Sequence, residues 1–144
     1  MRLSSSIDIQ APPDTVWAVW SDLERWPEWT ASVSRIERLE PGPLAVGHRV
    51  RVHQPKFPPA TWRVIALEEG RGFTWVSESP GARVTASHWI EPHAGGSRAT
   101  SAITFAGPIA LLVGWLSRSL TERYLRLEAA GLKARSEARG GAGA

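Results

Sequence analysis

The chain has 144 residues, the length of one domain, and can bury an apolar core without disulfides or metals. It contains no cysteine, so disulfide frameworks, thiolate catalysis and cysteine-based zinc sites are excluded. The net charge of +3 comes from arginines spread along the chain, which favours a solvated surface over a nucleic-acid interface.

The apolar runs are too short to span a membrane. The longest, Ile109 to Leu116, falls well short of the roughly 20 residues that a spanning helix needs. The opening segment MRLSSSIDIQ also lacks the apolar region of a signal peptide. We therefore expect a cytoplasmic protein with no stable membrane insertion and no nucleic-acid partner.

The first part of the chain changes from a strand pattern to a helical one. In residues 3–10, Leu3, Ile7 and Ile9 are apolar while Asp8 and Gln10 are polar, as in a half-buried strand. After Pro13, apolar residues recur at helical spacing between Val16 and Trp20, and Pro27 ends a second short turn. The sequence predicts one strand followed by two short helices.

Four of the eight tryptophans lie close together in this region. Trp17 and Trp20 fall on the apolar side of the first helix, so we expect them to pack on the sheet. Trp26 and Trp29 lie on either side of Pro27. We expect Trp26 to pack in the core, whereas Trp29 fits plain packing and the rim of a cavity equally well.

Residues 32–105 contain short β-rich runs separated by turn residues. The segment HRVRVHQ alternates clearly and places Val50, Val52 and Gln54 on one face. The segments EGRG, PGA and AGG separate further runs, as hairpin turns do. Six consecutive strands with short connections predict antiparallel neighbours, which gives seven strands with the first one.

The chain closes with a long amphipathic pattern that begins near Pro108 and continues to Ala138. Apolar residues recur there at spacings of three and four, which predicts one long helix. The small residues at 139–144 predict a disordered tail, and residues 1–138 then form a single domain. The recurring apolar positions are Ile109, Val113, Leu116, Leu120, Tyr124 and Leu127.

An antiparallel sheet of seven strands twists and cannot stay flat. We expect it to curl around the long helix, which is the element able to cover its apolar face. One helix does not fill a wide curved sheet, so a cavity is expected between the two. The predicted fold class is α+β.

The sequence resembles the polyketide cyclase/dehydrase-like family of the START-related (SRPBCC) superfamily. The resemblance runs from Ser6 to about Ala134 and rests on IDIQAPPDTVWAVWSDLERWPEWTASV, GPLAVGHRVRV and GWLSRSLTERYLRLEAAGLKAR. It implies a helix-grip fold with a cavity for an apolar or aromatic small molecule. It does not select an activity, because members include cyclases, dehydratases, lipid carriers and ligand receptors.

Strand alternation selects the side chains that face the predicted cavity. Phe73 and Trp75 share a face. On the preceding strand, the face with Trp62, Val64 and Ala66 is favoured as the inner one, because Arg63 on the other face suits solvent. The predicted ligand-binding residues are Trp29, Val52, Trp62, Phe73, Trp75, His88, Ser101, Ile103, Val113, Leu116, Leu120 and Tyr124.

Two side chains are candidates for acid–base chemistry in the cavity. His88 is expected to face inward on its strand, and the ordinary pKa of a histidine suits proton transfer near neutral pH. Tyr124 falls on the apolar stripe of the long helix. Each also has a structural explanation, as a packed histidine or as a tyrosine bonded to a core group. No histidines or acids have metal-ligand spacing, so we expect no metal and no cofactor.

Three hypotheses follow from these features. The favoured one is a monomeric or homodimeric domain that binds a hydrophobic, polyketide- or lipid-like small molecule. The alternative is a polyketide cyclase or dehydratase that uses His88 and Tyr124 in the same cavity. A weaker hypothesis is contact with a membrane surface or a partner through IALLVGWL and QPKFPP, with Trp115 lying off the main helical stripe.

Overall fold

The computed structural model describes residues 1–142, which form seven strands, three α-helices and one 3-10 helix. The helices are α1 (Pro13–Trp20), the 3-10 helix (Leu23–Glu28), α2 (Pro108–Leu116) and α3 (Arg118–Ala142). No helix within residues 1–142 combines the length and apolarity needed to span a bilayer. The strands are β1 (Arg2–Ile9), β2 (Arg35–Arg38), β3 (Arg49–His53), β4 (Ala60–Glu68), β5 (Gly72–Ser79), β6 (Ala82–His93) and β7 (Gly96–Ala106).

The strands form one antiparallel sheet in the order β1-β7-β6-β5-β4-β3-β2. Strands β2 to β7 follow each other as neighbours, and β1 pairs with β7. The register places Trp75 opposite Ala86 and Ala86 opposite Ile103, so these three side chains share the inner face of the sheet. The prediction of a seven-stranded antiparallel sheet is confirmed.

Strand β4 contains an irregularity that the alternating pattern did not reveal. Val64 pairs with Trp75 and Ala66 with Thr74, so one residue between them is unpaired, as in a β-bulge. Beyond the bulge, the side chains of β4 point to the opposite faces from those that regular alternation predicts. Leu67 rather than Ala66 therefore packs against the core. The predicted inward position of Ala66 is therefore wrong, because that side chain is exposed.

The predicted single long helix is two helices that meet at Ser117. The Ser117 hydroxyl donates to the Val113 carbonyl at 2.6 Å, and Ser117 leaves helical geometry with φ −99 and ψ 12. A serine hydroxyl bonded back to the preceding turn competes with the helical ladder and bends the chain. The break separates α2, which contacts β6 and β7, from α3, which runs beside β1 and α1.

The break also moves the buried face of the long helix. A continuous stripe through Leu116 and Leu120 was predicted, but Leu116 is 70% exposed and Leu120 is half-buried. The predicted apolar stripe assumes a continuous helix through Ser117, but the helical rotation is interrupted there. Between residues 118 and 139, the buried side chains of α3 are Thr121, Glu128, Leu132 and Ser136.

The predicted tail begins where α3 is still helical. The backbone of α3 continues through Arg139 to Ala142, and residues 143–144 lie outside the described residues. The backbone of residues 139–142 is helical. The single domain at 1–138 and the disorder of the tail stay predictions.

The four tryptophans between residues 17 and 29 lie in the hydrophobic core or pack against it. Trp20 and Trp26 are fully buried, and the Trp26 indole N–H donates to the Trp20 carbonyl at 2.9 Å. Trp17 is half-buried, with its ring 6.4 Å from that of Phe73. The indole at position 26 thus ties the corner of the 3-10 helix to the end of α1.

Candidate functional site

Two adjoining hollows lie between the inner face of the sheet and the C-terminal helices. The inner hollow has a volume of about 80 Å³ and the outer one about 270 Å³. Strands β3, β4 and β7 and helix α3 contribute residues to both, so the two spaces meet along a common wall. The shared residues are Val52, Gln54, Trp62, Ile103, Leu125 and Glu128.

Three indole rings line the inner hollow. Trp62 and Trp75 project from β4 and β5 with ring centres 5.7 Å apart, and Trp26 from the 3-10 helix lies 5.7 Å from Trp75. Trp26 and Trp75 are buried, while Trp62 is half-buried at the junction of the hollows. The result is a rigid apolar wall of the kind found in small-molecule pockets.

The buried carboxyl of Glu128 reaches this apolar space from α3. Glu128 is 8% exposed, and Ser101 on β7 donates its hydroxyl proton to Oε2 at 2.7 Å. Burial raises the pKa of Glu128 to about 7, although the Ser101 hydrogen bond acts in the opposite direction. A carboxyl with this pKa exchanges its proton near neutral pH, which is the range that acid–base chemistry requires.

His88 lies beside the same hollow but is held neutral. Its Nδ1 donates to the Phe73 carbonyl at 3.3 Å, and its ring stacks on that of Phe73 with centres 4.2 Å apart. Burial lowers the pKa of His88 to about 3, against a smaller effect of the Phe73 hydrogen bond. Because Nδ1 carries the proton, Nε2 remains a hydrogen-bond acceptor.

Tyr124 lines the outer hollow and joins α3 to the loop between β3 and β4. Its hydroxyl donates to the Pro55 carbonyl, and its ring meets Phe57 edge-on at 5.8 Å. The tyrosine therefore fixes the loop that borders the outer hollow. His88 and Tyr124 face different hollows and each is bonded to a backbone carbonyl, so the geometry gives their acid–base pairing no support.

The structure brings eight of the twelve predicted ligand-binding residues to the hollows, and their role in binding stays a prediction. Phe73 lies behind His88, and Trp29 packs against the Trp26 ring at 5.5 Å. Leu116 and Leu120 line neither hollow. The eight residues are Val52, Trp62, Trp75, His88, Ser101 and Ile103 in the inner hollow, with Val113 and Tyr124 in the outer one.

The inner hollow is also lined by Glu128, Gln54 and Trp26, which were not among the predicted ligand-binding residues. The signal for Glu128 was present, since Leu125, Glu128 and Leu132 follow each other at spacings of three and four. This spacing was not used, because the predicted stripe continues from α2 into α3 as if the helix were unbroken at Ser117. A glutamate on the buried face of a helix marks a polar group that points into a core or a cavity.

A curved antiparallel sheet that wraps around a long C-terminal helix defines an α+β protein of the helix-grip class. Within that class, the chain belongs to the family described as polyketide cyclase / dehydrase and lipid transport, which it matches over residues 1–137. The resemblance noted in the sequence is thereby confirmed.

A relative in Streptomyces cyaneus, named "Putative polyketide cyclase", is 34% identical over 74 residues. The match covers 51% of this chain and 41% of that relative, so the chain spans less than half of the relative's length.

Solved structures share the fold at low sequence identity. The Helicobacter pylori protein jhp0584 has a TM-score of 0.81 at 15% identity, over 94% of this chain and 88% of its own. The di-domain ARO/CYC BexL from the BE-7585A biosynthetic pathway has a TM-score of 0.72 at 18% identity, over 95% of this chain and 46% of its own. At such identities these likenesses establish the fold, not the activity.

Proposed function

We propose that the protein binds a hydrophobic, aromatic small molecule in the two hollows between the sheet and helices α2 and α3. The observation that carries the proposal is the lining, in which three indole rings and several aliphatic side chains surround a few convergent polar groups. Pockets for small molecules have this composition, with apolar walls for affinity and a few polar groups for orientation. Membership of a family that includes lipid transport in its description agrees with this role.

The proposal is tested by blocking the junction of the hollows. Ile103 lines both, so Ile103→Trp places a large ring where a ligand would lie. Thr104 is its neighbour on the exposed face of β7, and Thr104→Trp is the matched control. We expect isothermal titration with naphthylethanol to show binding to the parent protein and to the control, with at least a tenfold loss of affinity in Ile103→Trp. Equal affinity in all three proteins would place the ligand elsewhere.

A second candidate function is acid–base catalysis on the bound molecule, as in a polyketide cyclase or dehydratase. The observation that favours it is the buried Glu128 carboxyl, whose pKa near 7 suits proton transfer, whereas the lowered pKa of His88 does not. The test is exchange of the α-hydrogens of an aromatic β-diketone in deuterated water, followed by NMR. Catalysis by Glu128 predicts faster exchange with the parent protein and a return to the background rate in Glu128→Gln.

A further inference from the structure

We propose that the ligand of the two hollows is a lipophilic amine, whose ammonium group binds the Glu128 carboxylate in the inner hollow and whose apolar body fills the outer one. The inference rests on the proposed binding function and names the chemical class of its ligand. It follows from the charge, the hydrogen-bonding groups and the aromatic lining of the inner hollow.

Three polar side chains that line the inner hollow, Gln54, His88 and Glu128, offer hydrogen-bond acceptors. The Gln54 amide nitrogen donates to the Ser32 carbonyl at 3.2 Å, and the amide oxygen stays available as an acceptor. His88 uses Nδ1 for the Phe73 carbonyl and keeps Nε2 as an acceptor. Among the described residues only Ser101 donates to Glu128, and that bond is to Oε2. A ligand that satisfies these groups must bring donors, and a primary ammonium group brings three N–H donors.

The sign of the charge in the hollows disfavours an acidic ligand and favours a basic one. No lysine or arginine side chain lines either hollow within the described residues, whereas the Glu128 carboxyl lines both. A fatty acid or a phosphate ester would place a second negative charge beside Glu128 with no cation to compensate it. A protonated amine supplies the missing positive charge, and a buried carboxylate with a charged hydrogen-bonding partner is strongly favoured over one without.

The aromatic lining is suited to a cation as well as to an apolar group. The rings of Trp26, Trp62 and Trp75 surround the same small space into which Glu128 projects. Tryptophan is the best aromatic partner for a cation, and a cation–π contact is stronger when the cation is removed from water. The volume of about 80 Å³ admits a small head group, while the apolar body requires the outer hollow of about 270 Å³.

A neutral hydroxyl group satisfies the site less completely than an ammonium group. It brings one donor for several acceptors, and it leaves Glu128 either protonated or charged without a partner. The other titratable groups that line the hollows are His88 and Tyr124, and neither supplies a cation at neutral pH. The amine is therefore the class that brings both a positive charge for Glu128 and several donors for the acceptors of the inner hollow.

The test compares three ligands that share one ring system and differ in the head group. Isothermal titration at pH 7 uses naphthylethylamine, naphthylethanol and naphthylacetic acid with the parent protein. We expect the amine to bind at least about tenfold more tightly than the alcohol, because a charge-assisted bond contributes more than a neutral one, and the acid to bind most weakly. In Glu128→Gln the amine should lose at least about tenfold in affinity while the alcohol changes by less than about threefold.

The control is Glu122→Gln, the same substitution at a solvent-facing position of α3 where the side chain pairs with Arg118. This variant should keep the parent order of affinities. The amine inference is overturned if the alcohol binds as tightly as the amine, or if Glu128→Gln weakens both ligands equally, while the binding function itself stands. If no member of the series binds the parent protein, the binding function falls with the inference.

Discussion

At the scale of single residues, the burial and protonation of the polar groups in the inner hollow were the hardest properties to predict. They also say the most about which ligand the hollow can bind. His88 could be placed from the sequence because strand alternation fixes its face, and β6 keeps that alternation. Its protonation state could not, since burial and the Phe73 carbonyl belong to the tertiary structure. Glu128 was missed because its burial depends on the rotation of α3 after the break at Ser117.

Glu128 gives the protein a stability that decreases as the pH rises. Its pKa is about 7 in the folded protein and 4.5 as the ordinary value, so the folded state holds the proton more tightly. The contribution is complete below pH 4.5 and is lost as the pH rises through about 7, by up to about 3 kcal/mol. His88 acts with the opposite sign, because its lowered pKa gives stability above pH 6.5 that is lost as the pH falls through about 3.

The measurement is the urea-induced unfolding of the parent protein and Glu128→Gln between pH 4.5 and 8. The variant removes the Glu128 contribution and leaves that of His88, so the difference between the two proteins isolates one group. We expect the variant to gain stability relative to the parent as the pH rises. A difference that stays constant with pH would show that Glu128 titrates as an ordinary exposed carboxyl.

At the scale of elements, the sequence predicted the strands more accurately than the helices. Turn residues and alternation predicted every strand of the sheet, because both signals are local. The bulge in β4 and the break between α2 and α3 were not visible, since each depends on contacts with neighbouring elements. Periodicity alone does not record where a helix changes direction.

Helix α3 approaches the corner of the 3-10 helix closely at Gly131. A Cβ atom at this position would overlap the Trp29 carbonyl oxygen and lie 2.9 Å from its carbon. Gly131→Ala should therefore destabilise the protein by about 1–3 kcal/mol, although the change would normally strengthen a helix by up to about 1 kcal/mol. Chemical unfolding measures the difference, and Ala130→Gly on the exposed side of α3 gives the ordinary cost of a helical glycine. A stability gain in Gly131→Ala would contradict the close approach.

Helix α2 is apolar but largely uncovered. Trp115 and Leu116 are each 70% exposed, so Trp115→Ala should change the thermal midpoint by less than Trp26→Ala, which removes a fully buried ring. Differential scanning calorimetry compares the two variants, and equal decreases of the thermal midpoint would contradict the exposure of Trp115.

Contact of α2 with a membrane surface stays a prediction, and liposome binding that weakens in Trp115→Ala would support it.

At the scale of the whole molecule, the α+β helix-grip architecture was predicted from the order of the elements and from the family resemblance. The space between the sheet and the C-terminal helices was expected from their geometry, because one helix does not cover a wide curved sheet. Its division into two hollows was not foreseen. Trp62, Ile103 and Leu125, which come from three different elements, line both hollows at their junction.

The central claim is that an apolar small molecule occupies the space between the sheet and the C-terminal helices. The most direct measurement is a titration with naphthylethanol followed through the indole N–H signals of the eight tryptophans. We expect saturable shifts for Trp26, Trp62 and Trp75, which line the inner hollow, and none for the exposed Trp89 and Trp115. Shifts confined to Trp89 and Trp115, with the three lining tryptophans unchanged at saturation, would contradict the claim.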